Sequence, residues 1–325
     1  MLRYCHGQAA GLPYTIAKTC FFSNTAKILM RPVIVDEFDP PFIVSEPSAQ
    51  TIPFVFNVPH AGAVYPASFL AASRLDAVAL RRSEDAFVDE LFGAMPDLGA
   101  PLMTARFPRA FLDLNREPYE LDSRMFDGRL PPFTNTRSMR VAGGLGTIPR
   151  IVADGQEIYR SRLHVEEALH RIEWLYKPYH RTLRHLVRRT AQHFGHAILI
   201  DCHSMPSSSV SREDGAKADI VLGDRYGTSC ATLLIDLVEA VLRGRGYTVI
   251  RNKPYAGGFI TEHYGEPALG RHALQIEINR ALYMEERNMH KKPGFAVLAD
   301  DLTQAFAQVI TEIEGELTIR SIAAE

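Results

Sequence analysis

The sequence predicts an α/β fold: a single domain with a central, mainly parallel mixed sheet flanked by helices. Three observations predict it. Short apolar runs bounded by turn residues alternate along the chain with stretches of helical periodicity, the order that strand–helix–strand units produce. No internal repeat and no Pro-, Gly- or Ser-rich linker divides the chain, which leaves one domain as the default. The 325 residues, 46% hydrophobic and 23% charged, have the composition of an ordinary globular enzyme and the length for one large core.

Strands are expected at 54–58, 110–114, 197–201, 220–222, 248–251 and 273–278, where each apolar run is short and ends at polar or turn-forming residues. The longest helical region covers 158–194, with Leu169, Ile172, Tyr176, Tyr179, Leu183 and Leu186 recurring at steps of three and four. Pro178 should kink or divide it, because proline lacks the N–H that the helical ladder needs. Further helices are expected after Ser83, over 229–243 ahead of Gly244 and Gly246, and over 296–314 ahead of Gly315. Residues 117–150, rich in Pro, Gly, Arg and Asn, show little periodicity, and so long a loop inside a domain usually serves as a lid or functional insertion.

Thirty-six basic against 38 acidic side chains leave a formal net charge of −2. No global electrostatic footprint therefore favours nucleic acid or an anionic membrane, and a small molecule is the expected partner. Cys5, Cys20, Cys202 and Cys230 lack CxxC spacing, which argues against a disulfide framework and against cysteine-ligated zinc and fits a reducing, cytoplasmic setting. No apolar stretch approaches the ~18 residues of a membrane span; AILI at 197–200 leads straight into Asp201. Residues 1–35 hold Arg3, Lys18, Lys27 and Arg31 but no acid, a depletion that can mark a targeting segment. The stronger reading takes Met30 as the start of ordinary sequence, with 1–29 an extension that does not pack and 30–325 the domain.

Three polar residues stand at the C-terminal ends of expected strands: His60 in FVFNVPHAG, His203 in ILIDCHSM and Glu277 in ALQIEINR. Ligands of open α/β sheets bind at that rim. A lone histidine there is commonly a buried, backbone-bonded one, but both imidazoles follow an apolar run and precede small residues, Ala61-Gly62 and Ser204, that permit close approach to a ligand. His164, His170, His180, His185 and His193 fall on the charged helical region and read as surface. On the last strand Leu274, Ile276 and Ile278 take one face and Gln275, Glu277 and Asn279 the other. A carboxylate on the second face of a central strand is costly unless paired, with Arg280 the nearest partner, or used.

A catalytic zinc takes three protein ligands and leaves a position open, so two histidines need a third partner. Glu84 and Asp85 in RRSEDAFVDELF are the candidates. Glu84 falls on the apolar stripe of Val88, Leu91 and Met95 with Asp85 at its edge, whereas a helix beginning after Ser83 would put both in its first turn, complementing the helix dipole; periodicity does not decide. In RFPRAFLDLNRE, Arg106, Arg109, Asn115 and Arg116 could hold a substrate carboxylate, and an arginine near a metal could stabilise an oxyanion.

Together, NVPHAG, SEDAFVDELF, FPRAFLDLNREP, LIDCHSM, PYAGGFITEHYG and QIEINRALYM resemble the N-formylglutamate amidohydrolase family, similar in fold to the zinc carboxypeptidases and aspartoacylases; the matching blocks span about residues 54–285. The resemblance implies one zinc per chain on His60, Asp85 and His203, Glu277 as general base, Arg109 as polariser of the scissile carbonyl, Asn115 and Arg116 as carboxylate clamp, and Gly258 and Glu262 of the GGFITEHYG block at the substrate. The substrate it implies is a small carboxylated amino-acid derivative, N-formyl-L-glutamate above all. Position 262 is Glu where many members carry Arg, so a positive contact to an acidic side chain is expected to be missing and another N-formyl or N-acyl amino acid is the rival substrate. A carboxypeptidase-like peptidase on the same fold would need residues 117–150 to lie aside from the site. A non-catalytic binding protein would have lost a ligand or the base, and all four residues are present.

Overall fold

Seven strands form the main sheet: β1 (Phe42–Ser45), β2 (Phe54–Val58), β3 (Leu102–Ala105), β4 (Ala197–Met205), β5 (Ile220–Gly223), β6 (Val249–Arg251) and β7 (Arg271–Asn279). The computed structural model describes residues 37–152, 155–209 and 217–322, with side chains to Ile313 in the last stretch. The expected extension at 1–29, with Cys5 and Cys20, lies outside the described residues. Strand order is β1-β3-β2-β4-β7-β5-β6. The centre, β3-β2-β4-β7, is parallel; β1 runs against β3 and β5 against β7, while β6 is parallel to β5. The sheet is therefore mainly parallel and mixed, as expected.

Helices α1 (Ala67–Ala72), α2 (Ala77–Arg81), α3 (Val88–Leu91), α4 (Met139–Ala142), α5 (Val165–Arg171), α6 (Lys177–Phe194), α7 (Thr232–Gly244), α8 (Phe259–Tyr264) and α9 (Gly294–Ile322) connect and cover it. Burial on both faces is what makes central parallel strands almost wholly apolar, and β2 and β4 have no exposed residue. One core joins Ile198, Ile200 and Cys202 to Leu234 and Val238 of α7 and Leu302 and Phe306 of α9. On the other face Ala197, Leu199 and Ala273 pack with Tyr179, Leu183 and Leu186 of α6.

Several expectations are corrected. Residues 110–114 form no strand: Phe111 and Leu112 N–H groups bond to the Pro108 carbonyl, and the apolar run reflects burial of Phe111, Leu112 and Leu114 in the core rather than a ladder. The strand of this region is β3, upstream, and β1 was not expected at all. The long helix starts at Val165 rather than 158, and a π-helical turn at Ile172–Tyr176 divides it into α5 and α6 just ahead of Pro178. His180 is not surface. It is 5% exposed, bonded to the Leu114 carbonyl and the Tyr264 hydroxyl, and burial pushes its imidazole down to about 3. Among the described residues no helix is long and apolar enough to cross a membrane, and Cys202 and Cys230 are buried free thiols.

Candidate active site

The strand period decides which side chains reach the rim. On β4 the odd positions Asp201 and His203 share a face, and on β7 so do Gln275 and Glu277. The parallel register sets Asp201 beside Gln275 and His203 beside Glu277. His60 follows the end of β2 at the same side of the sheet, because Asn57 of β2 pairs with Asp201. A Cβ at Gly62 would sit 2.2 Å from the Phe107 carbonyl oxygen. The small residue after His60 thus admits the neighbouring backbone rather than a ligand, a correction to the sequence reading.

Asp85 joins this group from a turn. Its N–H donates to the His60 carbonyl at 3.0 Å, and Phe87, held at φ 66°, turns the chain into α3 immediately afterwards. A bulky residue in the left-handed region is strained and persists only where surrounding structure holds it. The helix expected after Ser83 is therefore a single turn that begins three residues beyond Asp85. Asp85 Oδ2 lies 2.9 Å from His203 Nδ1 and 3.4 Å from His60 Nδ1, and the donor atoms of the three residues all fall within 4.8 Å of one another. Glu84 points elsewhere: fully buried, it accepts from the Tyr65 hydroxyl at 2.6 Å and pairs with Arg81 Nε at 3.1 Å.

Each imidazole is held from behind. His60 Nε2 meets Asp113 Oδ1 at 2.8 Å and His203 Nε2 meets Asp201 Oδ2 at 2.9 Å. A carboxylate on Nε2 keeps the proton there and turns the Nδ1 lone pair forward. Burial would lower the proton affinity of His203, but Asp201 and Asp85 overcome it and raise its pKa well above the ordinary value. His60 Nδ1, fully enclosed, has no hydrogen-bond partner. An orphaned buried nitrogen facing a second imidazole and a carboxylate fits a small divalent cation bound by two nitrogens and an oxygen. Arg280 secures the other oxygen of Asp85 at 3.0 Å, and its remaining N–H groups go to Ser204 Oγ and the Arg82 carbonyl.

Glu277 is 7% exposed. Arg280 is not its hydrogen-bond partner; Gln275 Nε2 donates to it at 2.9 Å, and burial pushes its carboxyl up to about 7. It lines a cavity of about 560 Å³ with His60, His203, Arg109, Asn115, Arg116 and Gly258, within the size range of small-molecule sites. Arg109 Nε pairs with Asp113 Oδ2 at 3.0 Å, and Arg109 together with Arg116 overcomes burial to hold Asp113 well below the usual carboxylate range. The Asn115 amide is engaged inside the protein: Oδ1 accepts from the Ile260 N–H at 2.8 Å while Nδ2 faces His203 and Asp201. Gly258 is required by this packing, since a Cβ there would come 2.4 Å from the Asn115 amide. Of residues 117–150, Arg140, Leu145 and Pro149 line the cavity wall.

Glu262 is not brought to the site. It lies half-exposed on α8, 2.9 Å from Arg225, and does not line the cavity. Residues the sequence reading missed are Asp113, Asp201, Gln275, Arg140 and Arg280. Asp201 and Gln275 were within reach, because each stands two residues before a singled-out side chain on the same strand face. Asp113 reaches His60, and Arg280 reaches Asp85, only across the fold, which no local pattern reports.

The sequence model of the N-formylglutamate amidohydrolase family matches residues 52–284. An N-formylglutamate deformylase of Pseudomonas aeruginosa is 30% identical over 265 residues, 81% of this chain and 91% of its own length. One from Pseudomonas putida is 32% identical over 241 residues, 72% and 83% of the two chains. The crystal structure of an N-formylglutamate amidohydrolase from Ralstonia eutropha superimposes with a TM-score of 0.78 at 38% identity, covering 84% of this chain and 99% of that one.

Proposed function

This chain belongs to the N-formylglutamate amidohydrolase family, and from that premise we propose that it hydrolyses N-formyl-L-glutamate to formate and L-glutamate with one zinc ion per chain on His60, Asp85 and His203. The observation that carries the reading is the convergence of those three donor atoms, with His60, His203 and Glu277 on the wall of an arginine-lined cavity. Zinc bound there would lower the pKa of a water molecule and polarise the amide carbonyl. Glu277 takes the proton from the attacking water and passes it to the leaving nitrogen, a task suited to a buried carboxyl whose pKa lies near neutrality. Arg109, held through its Nε by Asp113 on the cavity wall, stabilises the oxygen that gains charge. Arg116, beside Asn115, holds the α-carboxylate. Arg140, Leu145 and Pro149, which wall the cavity from the 117–150 segment, support a small substrate over a peptide.

Removing the metal tests the core of this reading. Dialysis against a chelator is expected to abolish deformylation, and adding back one equivalent of zinc to restore it; full activity in metal-free protein would sink the proposal. Asp201→Asn and Asp113→Asn should weaken zinc binding on the order of 10- to 100-fold, the usual effect of losing a carboxylate behind a ligating histidine. Competition with a chromogenic chelator measures it, and unchanged affinity in both variants would show that neither carboxylate supports the metal.

A further inference from the structure

Five arginines, Arg82, Arg109, Arg116, Arg140 and Arg280, line the cavity against two carboxylates, Asp113 and Glu277. Their commitments differ. Arg280 has all three of its nitrogens hydrogen-bonded within the protein. Arg116 gives Nε to the Leu145 carbonyl and Nη1 to its neighbour's carbonyl, and Nη2 lies 3.6 Å from Asp113. Among the described residues Arg140 has only a long approach to Glu120, at 3.8 Å, and its side chain is 34% exposed.

Arg140 is nonetheless held in place by its backbone. Ser138 caps the turn of α4 by accepting from the Val141 N–H, and the Arg140 carbonyl accepts from the Leu145 N–H at 2.8 Å. The Leu145 carbonyl in turn receives Arg116 Nε, so the turn that presents Arg140 is fastened to the residue assigned the α-carboxylate. Leu145, Pro149, Ile151 and Val152 line the same cavity and offer apolar surface to methylene groups. The residue at 262, meanwhile, is paired with Arg225 outside the cavity.

We propose that Arg140 binds the side-chain carboxylate of the substrate and is the residue that selects an acidic amino acid. The inference rests on the function proposed above and deepens it. A positive contact at 262 is not needed: the second carboxylate is met from the 117–150 segment by a guanidinium with N–H groups to spare, and such a charge-assisted contact separates a dianion from the monoanion whose distal group is an uncharged amide.

The test compares N-formylglutamate with N-formylglutamine, which differ only in the charge of the distal group. Arg140→Gln is expected to lower kcat/KM for N-formylglutamate by on the order of 10- to 100-fold, mostly through KM, with less than about a twofold change for N-formylglutamine. Arg140→Lys should recover part of the loss. An equal fall on both substrates, or no fall on the first, overturns the proposal. If the zinc-loaded wild type hydrolyses neither compound, the functional reading fails and calorimetric binding of glutarate and its monoamide decides the matter separately. A preference for glutarate that disappears in Arg140→Gln upholds the role of Arg140; equal glutarate affinity in wild type and variant overturns it.

Discussion

Glu277→Gln is expected to keep its zinc and lose turnover by on the order of 100-fold or more, the usual effect of removing a general base. The amide nearly matches the carboxylate in shape, and Gln275 Nε2 can still donate to the oxygen it now meets at 2.9 Å, so the side chain should stay where it is. What it loses is the capacity to accept a proton. Loss of kcat with an unchanged metal content separates this from damage to the metal group. The same residue should set the acid limb of the pH profile. Its carboxyl, raised to about 7 by burial, must be deprotonated to act, so kcat/KM falls as pH falls through its pKa. A divalent cation nearby favours the carboxylate and moves that limb below the value of the metal-free site. Near wild-type turnover in the variant would transfer the role to another group, and Glu262, outside the cavity and paired with Arg225, is no substitute.

Asp85→Ala should lose zinc far more severely than Glu84→Ala, although the two acids are adjacent. Asp85 carries one of three donor atoms, and its removal also strips Arg280 of a buried partner. The drop in affinity should exceed the roughly 10- to 100-fold of a supporting carboxylate. Glu84→Ala removes the partner of Tyr65 and Arg81 instead, and leaving such groups unsatisfied costs about 1–3 kcal/mol. Its signature is a lower melting temperature with the metal retained. Zinc titration and thermal unfolding of both variants give the comparison, and the reverse order of zinc affinities would sink the ligand assignment.

That pair also shows where reading the chain stops. A helical wheel that includes residue 84 puts Glu84 on the apolar stripe and Asp85 at its edge without deciding between them, and the family resemblance implied Asp85; the chain turns through Phe87 at positive φ and begins its helix at Val88. No periodicity reports a left-handed residue. Elsewhere periodicity was enough. Alternation along 273–278 put Glu277 on the face opposite Ile276, and the structure agrees, since burial of alternate residues is a property of the strand itself. The run at 110–114 misled for the complementary reason: core residues in an irregular segment are as apolar as those of a buried strand. His180 was misjudged because arginines at 181, 184 and 188 mark the helix as charged, while its own direction is toward Tyr264 and Leu114.

By itself, then, the sequence determined the α/β class, the central strands, the two histidines and Glu277 at strand ends, and, through the combination of blocks, the family. Those features are local, carried by a strand period of two, by turn chemistry and by short motifs. Only the tertiary structure decided that Asp85 rather than Glu84 faces the histidines, that Asp113 and Asp201 stand behind them, and that Arg140 rather than position 262 lines the cavity. Each of these depends on strand register and on the path of a loop, which bring together residues 195 positions apart in the case of Asp85 and Arg280. The free energy that selects such a meeting is spread over the whole packed core, so no single segment carries its sign.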